Sequence, residues 1–305
     1  MKRYSIIILA VICLIASSQS LFPLDVEFPL IQSLSYFPYW DNQTLEQGDF
    51  SLSLDMYYSN TYVFDNARTI ISDMESSSNV VGFRFGLTDR LTFEAFYRVT
   101  FYFGGFLDSV IIGFHDLFGL NVGGRDAFPQ DLVHYSFRNY FDYHENQTVS
   151  SPLIAGLVGN IYEDDSFFLN ARVAVGIPLE STPGFSSNRP FLTGGLMMRY
   201  FTGDFALDVA GHASFFKTPD WLLHEEMDNH ILTSELRIRY KRVFGGILWR
   251  STPFLTGDLS NPAYLAYIGV NITDYLEFSL IEEFPPMDTT SDVTFRLKFN
   301  IVSAD

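Results

Sequence analysis

The stretch from Val80 to Phe103 constrains the fold more than any other, because its apolar residues recur at every second position through two successive runs. In the first run Val81, Phe83, Phe85 and Leu87 share one face, and Gly82, Arg84 and Gly86 take the other. After Thr88-Asp89-Arg90, Leu91, Phe93, Ala95, Tyr97, Val99 and Phe101 share a face opposed by Thr92, Glu94, Phe96, Arg98 and Thr100. Side chains of a strand point alternately to its two faces, so these are two strands joined by a tight turn. Each run is about ten residues long, which is what a tilted strand needs to cross a bilayer.

The same alternation recurs over 50–59, 153–162, 167–177, 192–200, 205–215, 231–241, 244–251, 264–272, 276–284 and 293–301. Polar loops are predicted over 60–79, 179–190, 217–229 and 257–262, whereas Glu163-Asp164-Asp165, Thr202-Gly203-Asp204 and Thr273-Asp274-Tyr275 are short turns. The Thr-Asp pair of the opening hairpin is repeated at Thr273-Asp274 within a similar local sequence. Long connections therefore alternate with short ones, the pattern of outer-membrane barrels with short periplasmic turns and long outer loops. The predicted fold is all-β, a transmembrane antiparallel β-barrel of about twelve strands, with a short amphipathic helix in a long extracellular loop. Lipid offers no partner for backbone N–H and C=O groups, so such strands must close on themselves.

The ionised residues fall on the face opposite the apolar one, which a soluble β-sandwich would not arrange so regularly. Lumen-lining positions are predicted at Arg84, Glu94, Arg98, Arg172, Asp208, Glu235, Arg237, Arg239, Glu277, Arg296 and Lys298, with Lys241 also inward. A buried ion is costly unless paired, so Glu94, Asp208, Glu235 and Glu277 are expected beside inward arginines. Tyr and Phe near strand ends fit interfacial aromatic girdles.

Lys2 and Arg3, the apolar run 4–16 and Ser18-Gln19-Ser20 read as a secretory signal peptide over 1–20. The sole cysteine, Cys13, lies inside it, so the expected mature chain holds no disulfide, Cys-ligated metal or thiol nucleophile. Removing Lys2 and Arg3 takes the formal charge from −17 to −19, which argues against nucleic acid as a partner. Residues 21–47 are rich in Pro and aromatics, which disfavours both helix and paired strand there. The segment is expected either inside the barrel as a plug or in the periplasm. Residues 48–305 form the barrel.

The longest connection, 104–151, is expected outside the cell. In it Leu107, Val110, Ile111, Phe114 and Phe118 recur at helical spacing before Gly119, predicting a helix of about three turns tilted over the mouth or resting on the outer leaflet. Gly104-Gly105-Phe106-Leu107-Asp108, Gly113-Phe114-His115-Asp116-Leu117-Phe118-Gly119-Leu120 and Gly123-Gly124-Arg125-Asp126 resemble the signature of an uncharacterised "domain of unknown function" family of bacterial outer-membrane barrels. Gly105, Asp108, Phe114, His115, Asp116, Gly124 and Arg125 carry that motif. The resemblance implies a protein of the cell outer membrane of a Gram-negative-type bacterium, and brings no activity, cofactor or catalytic residue. Thr294 to Ile301 is similar to the C-terminal strand read by the barrel-assembly machinery, although Val302 to Asp305 follow the usual terminal aromatic.

One enzymatic constellation stands out: His212 and Ser214 lie two apart, hence on one strand face, the spacing by which some outer-membrane lipid hydrolases activate a hydroxyl. No third polar residue completes the set, parity points His212 into the lumen, and the spacing recurs at His134-Tyr135-Ser136. His115, Asp116, Asp126, Asp131, His134, Asp142, His144 and Glu145 crowd the insert, so divalent cations are conceivable partners at its acidic loops, yet no spacing matches a known metal loop and no metal or other cofactor is predicted. The expected role is a narrow passive pore for small solutes or a structural surface protein among outer-membrane lipids. The alternative is a lipid hydrolase.

Overall fold

A computed structural model of the chain describes residues 29–34, 44–64, 69–118, 131–255, 260–284 and 293–302. Its elements are α1 (Pro29–Leu34), β1 (Phe50–Phe64), β2 (Ile70–Thr88), β3 (Leu91–Phe103), α2 (Leu107–Phe118), β4 (His134–Phe137), β5 (Phe141–Tyr143), β6 (Gln147–Ser150), β7 (Leu153–Glu163), β8 (Phe167–Ile177), β9 (Phe191–Thr202), β10 (Phe205–Phe216), β11 (His230–Tyr240), β12 (Val243–Arg250), β13 (Ala263–Thr273), β14 (Leu276–Phe284) and β15 (Val293–Val302). The predicted signal peptide lies outside the described residues.

Every long strand pairs antiparallel with its neighbour, and β15 returns to β1 with Ser51 opposite Val302 and Asn60 opposite Val293. The result is a closed barrel of twelve long strands, with β4, β5 and β6 as additions from the insert. β4 pairs with β2 through Ile70–Asp73, and β6 pairs with β3 through Val99–Tyr102. No described helix is long and apolar enough to cross a membrane. The strands do the crossing: Leu52, Phe83, Val173, Leu196, Ile238 and Ile268 are exposed on the outer wall, with Phe50, Tyr162, Tyr200, Tyr240 and Tyr275 at the turn end as an aromatic girdle.

Two expected boundaries change. Residues 60–79 are mostly strand and not a polar loop, since β1 and β2 extend well past the bilayer-length hairpin. Ser72, Ser76, Ser78 and Asn60 are buried there, with Asn60 Nδ2 donating to Asp108 of α2 at 3.0 Å and Ser78 Oγ 2.8 Å from Thr100 Oγ1. Lys241 is also not inward: it sits in the β11–β12 turn at φ 55°, exposed, 3.9 Å from Asp204. Strand parity cannot be carried into a turn residue with left-handed backbone.

The N-terminal part forms structure that its prolines seemed to forbid. Pro29 opens α1, where the missing N–H costs nothing because first-turn donors have no intrahelical acceptor. All six residues of α1 are buried. Leu30, Ile31 and Leu34 pack into the apolar cluster that includes inward-facing Tyr57 of β1, Tyr102 of β3 and Phe191 of β9, which puts α1 within the bore. Residues 44–49 dock on the β2–β3 turn, where Gly48 N–H donates to Gly86 O at 2.9 Å and Gln47 N–H to Asp89 Oδ1 at 3.1 Å.

Candidate functional site

The bore of the barrel is the feature that chemistry could use, and it is built in three tiers. At the turn end lies a cavity of about 580 Å³ lined by Thr44, Glu46, Asp89, Asn160, Glu163, Phe168 and Asn170.

Next comes an ionic belt of wall residues. Arg172 pairs with Glu94 across the bore-facing surfaces of β8 and β3, and Arg199 holds Asp208 through two hydrogen bonds, the Nη2 one at 3.1 Å. Arg296 bridges two carboxylates, donating from Nε to Asp55 at 3.0 Å and from Nη1 to Glu277 at 2.8 Å. Arg237 approaches Glu277 at 3.7 Å and stacks its guanidinium 3.8 Å above the Phe244 ring. Glu235 accepts a hydrogen bond from the Tyr267 hydroxyl. Arg98 donates to Ser78 Oγ at 2.7 Å and Thr100 Oγ1 at 2.9 Å.

Each of the eleven residues expected to line the lumen is buried on the inner face of its strand. Arg199, Arg250 and Asp55 share that environment. Arg199 and Arg250 sit at even steps from inward neighbours, so the period of β9 and β12 held the signal for them. Among the described residues buried on the inner face of the wall, nine are basic (Arg84, Arg98, Arg172, Arg199, Arg237, Arg239, Arg250, Arg296, Lys298) and five acidic (Asp55, Glu94, Asp208, Glu235, Glu277), while Glu46, Asp89 and Glu163 line the cavity at the turn end. The belt therefore carries a formal surplus of four positive charges, in a low-dielectric setting where the surplus is felt strongly.

Above the belt, at the loop end, the bore is filled by apolar and aromatic side chains. Tyr135, Phe137 and Phe141 of the β4–β5 hairpin meet Phe185, Trp221 and Phe254, which come from three other long connections, and the side chains of α1. Ring centroids lie 4.7 Å apart for Tyr102–Phe185, 4.8 Å for Tyr135–Phe185 and 5.9 Å for Phe141–Trp221. The Tyr135 hydroxyl donates to Gly184 O at 2.9 Å, and its burial pushes the phenol pKa well above the ordinary value. This stopper was invisible to strand periodicity, since it is assembled from segments far apart in the chain.

The family described as "Protein of unknown function (DUF3187)" matches residues 5–187, more than half of the chain. The chain belongs to the DUF3187 family. Among solved structures, this DUF3187 protein is similar to the COG4313 outer membrane channel from Pseudomonas putida F1, at 15% identity and a TM-score of 0.56, over 86% of this chain and 98% of that one. That likeness is one of fold, a closed antiparallel β-barrel of the kind seen in that outer-membrane channel. Weaker likenesses are to the KdgM porin in complex with disordered oligogalacturonate (10% identity, TM-score 0.37, 83% and 99% covered) and to Salmonella typhi OmpF in complex with daunomycin (9%, 0.36, 83% and 96%). No curated protein matches the sequence.

The insert motif of the DUF3187 chain has a structural reading on the outer wall. Asn60 and Glu75 are register partners on the same face as exposed Leu52 and Phe83, so they point away from the bore. Glu75 accepts hydrogen bonds from the Tyr58 hydroxyl and the Leu107 backbone N–H, and Asp108 accepts from Asn60 Nδ2 at 3.0 Å and Asp131 N–H at 3.3 Å. Helix α2 is thereby latched against the outside of the barrel at the loop end, with Phe106, Val110 and Leu117 exposed. Gly105 is needed because a Cβ there would run into the Glu75 carboxylate. Asp116 is exposed on α2. The side chains of Phe114 and His115, and all of Gly124 and Arg125, lie outside the described residues.

His212 and Ser214 both face the bore and are buried, with the imidazole seated against Gly195, where a side chain would collide with it. Lipid acyl esters meet the opposite face of β10, where Ala213 and Phe215 point. Placement and packing thus disfavour the hydrolase reading, and Gly195 is the partner that a His-x-Ser search does not reveal.

Proposed function

We propose that the protein is an outer-membrane channel for small anionic solutes that rests closed. In this reading the short turns face the periplasm and the long connections face outward, as in outer-membrane barrels generally. The observation that carries it is the surplus of basic over acidic residues around the belt, nine against five, directly beneath a stopper made of loop segments and α1. Of the belt cations Arg237 speaks most directly for anions: it is 0% exposed, its guanidinium nitrogens have no hydrogen-bond acceptor among the described residues, and the carboxylate it faces, Glu277, stands 3.7 Å away and is shared with Arg296. A bore meant only to be filled would balance its charges, because a buried unmatched ion costs several kcal/mol, on the order of the penalty for breaking a buried pair. A stopper drawn from connections can shift while all twelve strand pairings of the closed barrel stay intact, and its tie to the wall is the short β4–β2 ladder at Ile70–Asp73.

The test is planar-bilayer recording of the folded barrel across a salt gradient. Brief openings whose reversal potential favours chloride over potassium are expected. Preference for potassium would overturn the anion assignment. Complete silence under all voltages, with the stopper perturbed as well, would favour a structural surface role, which the tightly packed bore would also serve.

A further inference from the structure

The geometry points to a binding site for a divalent transition-metal ion of the zinc class on the outer face of the β4–β5 hairpin, formed by His134, Asp142 and His144. β4 and β5 pair with Tyr135 opposite Tyr143 and Ser136 opposite Asp142. That register sets His134 across from His144, one step beyond the last paired residue, with Asp142 diagonal to His134 on the same face. Both imidazole Nε2 atoms converge on one carboxylate oxygen: His134 lies 3.4 Å and His144 3.0 Å from Asp142 Oδ1. The rings stand side by side with centroids 4.4 Å apart and planes at 31°. All three ligand atoms lie within 4.8 Å of one another.

Those separations match what a small ion requires. Zn–N and Zn–O bonds of roughly 2.0–2.2 Å in a tetrahedron place ligand atoms about 3.3 Å apart. Two imidazoles with one carboxylate suit zinc, copper or nickel, whereas calcium and magnesium prefer oxygen alone. Asp142 and His144 are exposed and His134 partly so, which leaves at least one coordination position open to water or a solute ligand. The opposite face of this hairpin carries Tyr135 and Phe141 of the stopper, so an ion bridging its two strands would stiffen the element that closes the bore. The site itself stands whether or not the barrel conducts.

The experiment uses untagged, folded full-length barrel in detergent, stripped with chelator and titrated with Co²⁺ as a coloured substitute, then with Zn²⁺ or Ca²⁺ as competitor. Wild type is expected to bind one equivalent of Co²⁺ with a ligand-field absorption band, displaced by Zn²⁺ and not by Ca²⁺. The band should be lost in His134→Gln/His144→Gln, which preserves side-chain bulk, and weakened in Asp142→Asn, with heat-modifiable gel migration of the barrel unchanged. Absence of one-equivalent binding by wild type, or a band that survives the double variant, would overturn the site. Displacement by Ca²⁺ would overturn the metal class, and full-strength binding by Asp142→Asn would remove the carboxylate from it.

Discussion

The lower and upper halves of the bore are held together by different physics. Toward the turns, ions on adjacent wall strands pair in a register that the barrel ladder enforces, as with Arg199 opposite Asp208. Toward the loops, rings from four connections and a six-residue helix pack together, tied to the wall by the four-residue β4–β2 ladder. The belt is therefore part of the barrel's own stability, whereas the stopper is packed into it and joined to the wall through the short β4–β2 ladder.

That contrast is broken most severely at Arg296. Replacing it by Met leaves Asp55 and Glu277 buried beside each other without their shared cation, and the expected loss is about 3–5 kcal/mol of barrel stability. Urea unfolding monitored by heat-modifiable migration should show it; an unchanged midpoint would mean that the belt does not support the wall. Phe137→Ala comes next. Removing a fully packed ring costs about 3–5 kcal/mol locally, yet the cost should fall on the stopper. Open probability in bilayers is expected to rise while the unfolding midpoint stays put, and a midpoint drop as large as that of Arg296→Met would erase the distinction between the halves.

A smaller effect is expected for Tyr135→Phe, which deletes the single hydrogen bond to Gly184 O. About 1 kcal/mol of closed-state stability corresponds to a roughly fivefold rise in openings. No change would show that the ring alone holds that corner. Smallest of all is Lys241→Ala at the exposed turn, where the pair with Asp204 spans 3.9 Å in water. Neither stability nor conductance should move measurably, since exposed pairs contribute little; a clear loss of stability would show that turn charges fix the register as well.

The same division decides what could be read from residue order. Period-two alternation is a local signal, so β8 and β14 begin and end where the pattern does, at Phe167 and Ile177 and at Leu276 and Phe284. Helix α2 over Leu107–Phe118 was equally legible from its helical spacing. The nearness of Glu94, Asp208, Glu235 and Glu277 to inward arginines followed from the cost of burying an ion, whereas the hydrogen bond that Glu235 also accepts from Tyr267 did not. Strands β4 to β6 were missed because each is only three or four residues long, too short to show a period. Helix α1 was missed because proline was weighed as a breaker and not as a first residue. Its place in the bore depends on contacts with Tyr102 and other residues distant in the chain, which no local pattern encodes.

The central claim is that a removable stopper closes the bore above a belt richer in cations than anions, and single-channel recording of Leu30→Asp/Leu34→Asp tests it most directly. Two carboxylates cannot remain in the aromatic pocket that holds α1, while the barrel ladders are untouched. The account predicts a barrel of normal heat-modifiable migration with sustained openings that still favour anions. Openings as rare as those of the wild type, or sustained ones that favour cations, would contradict it.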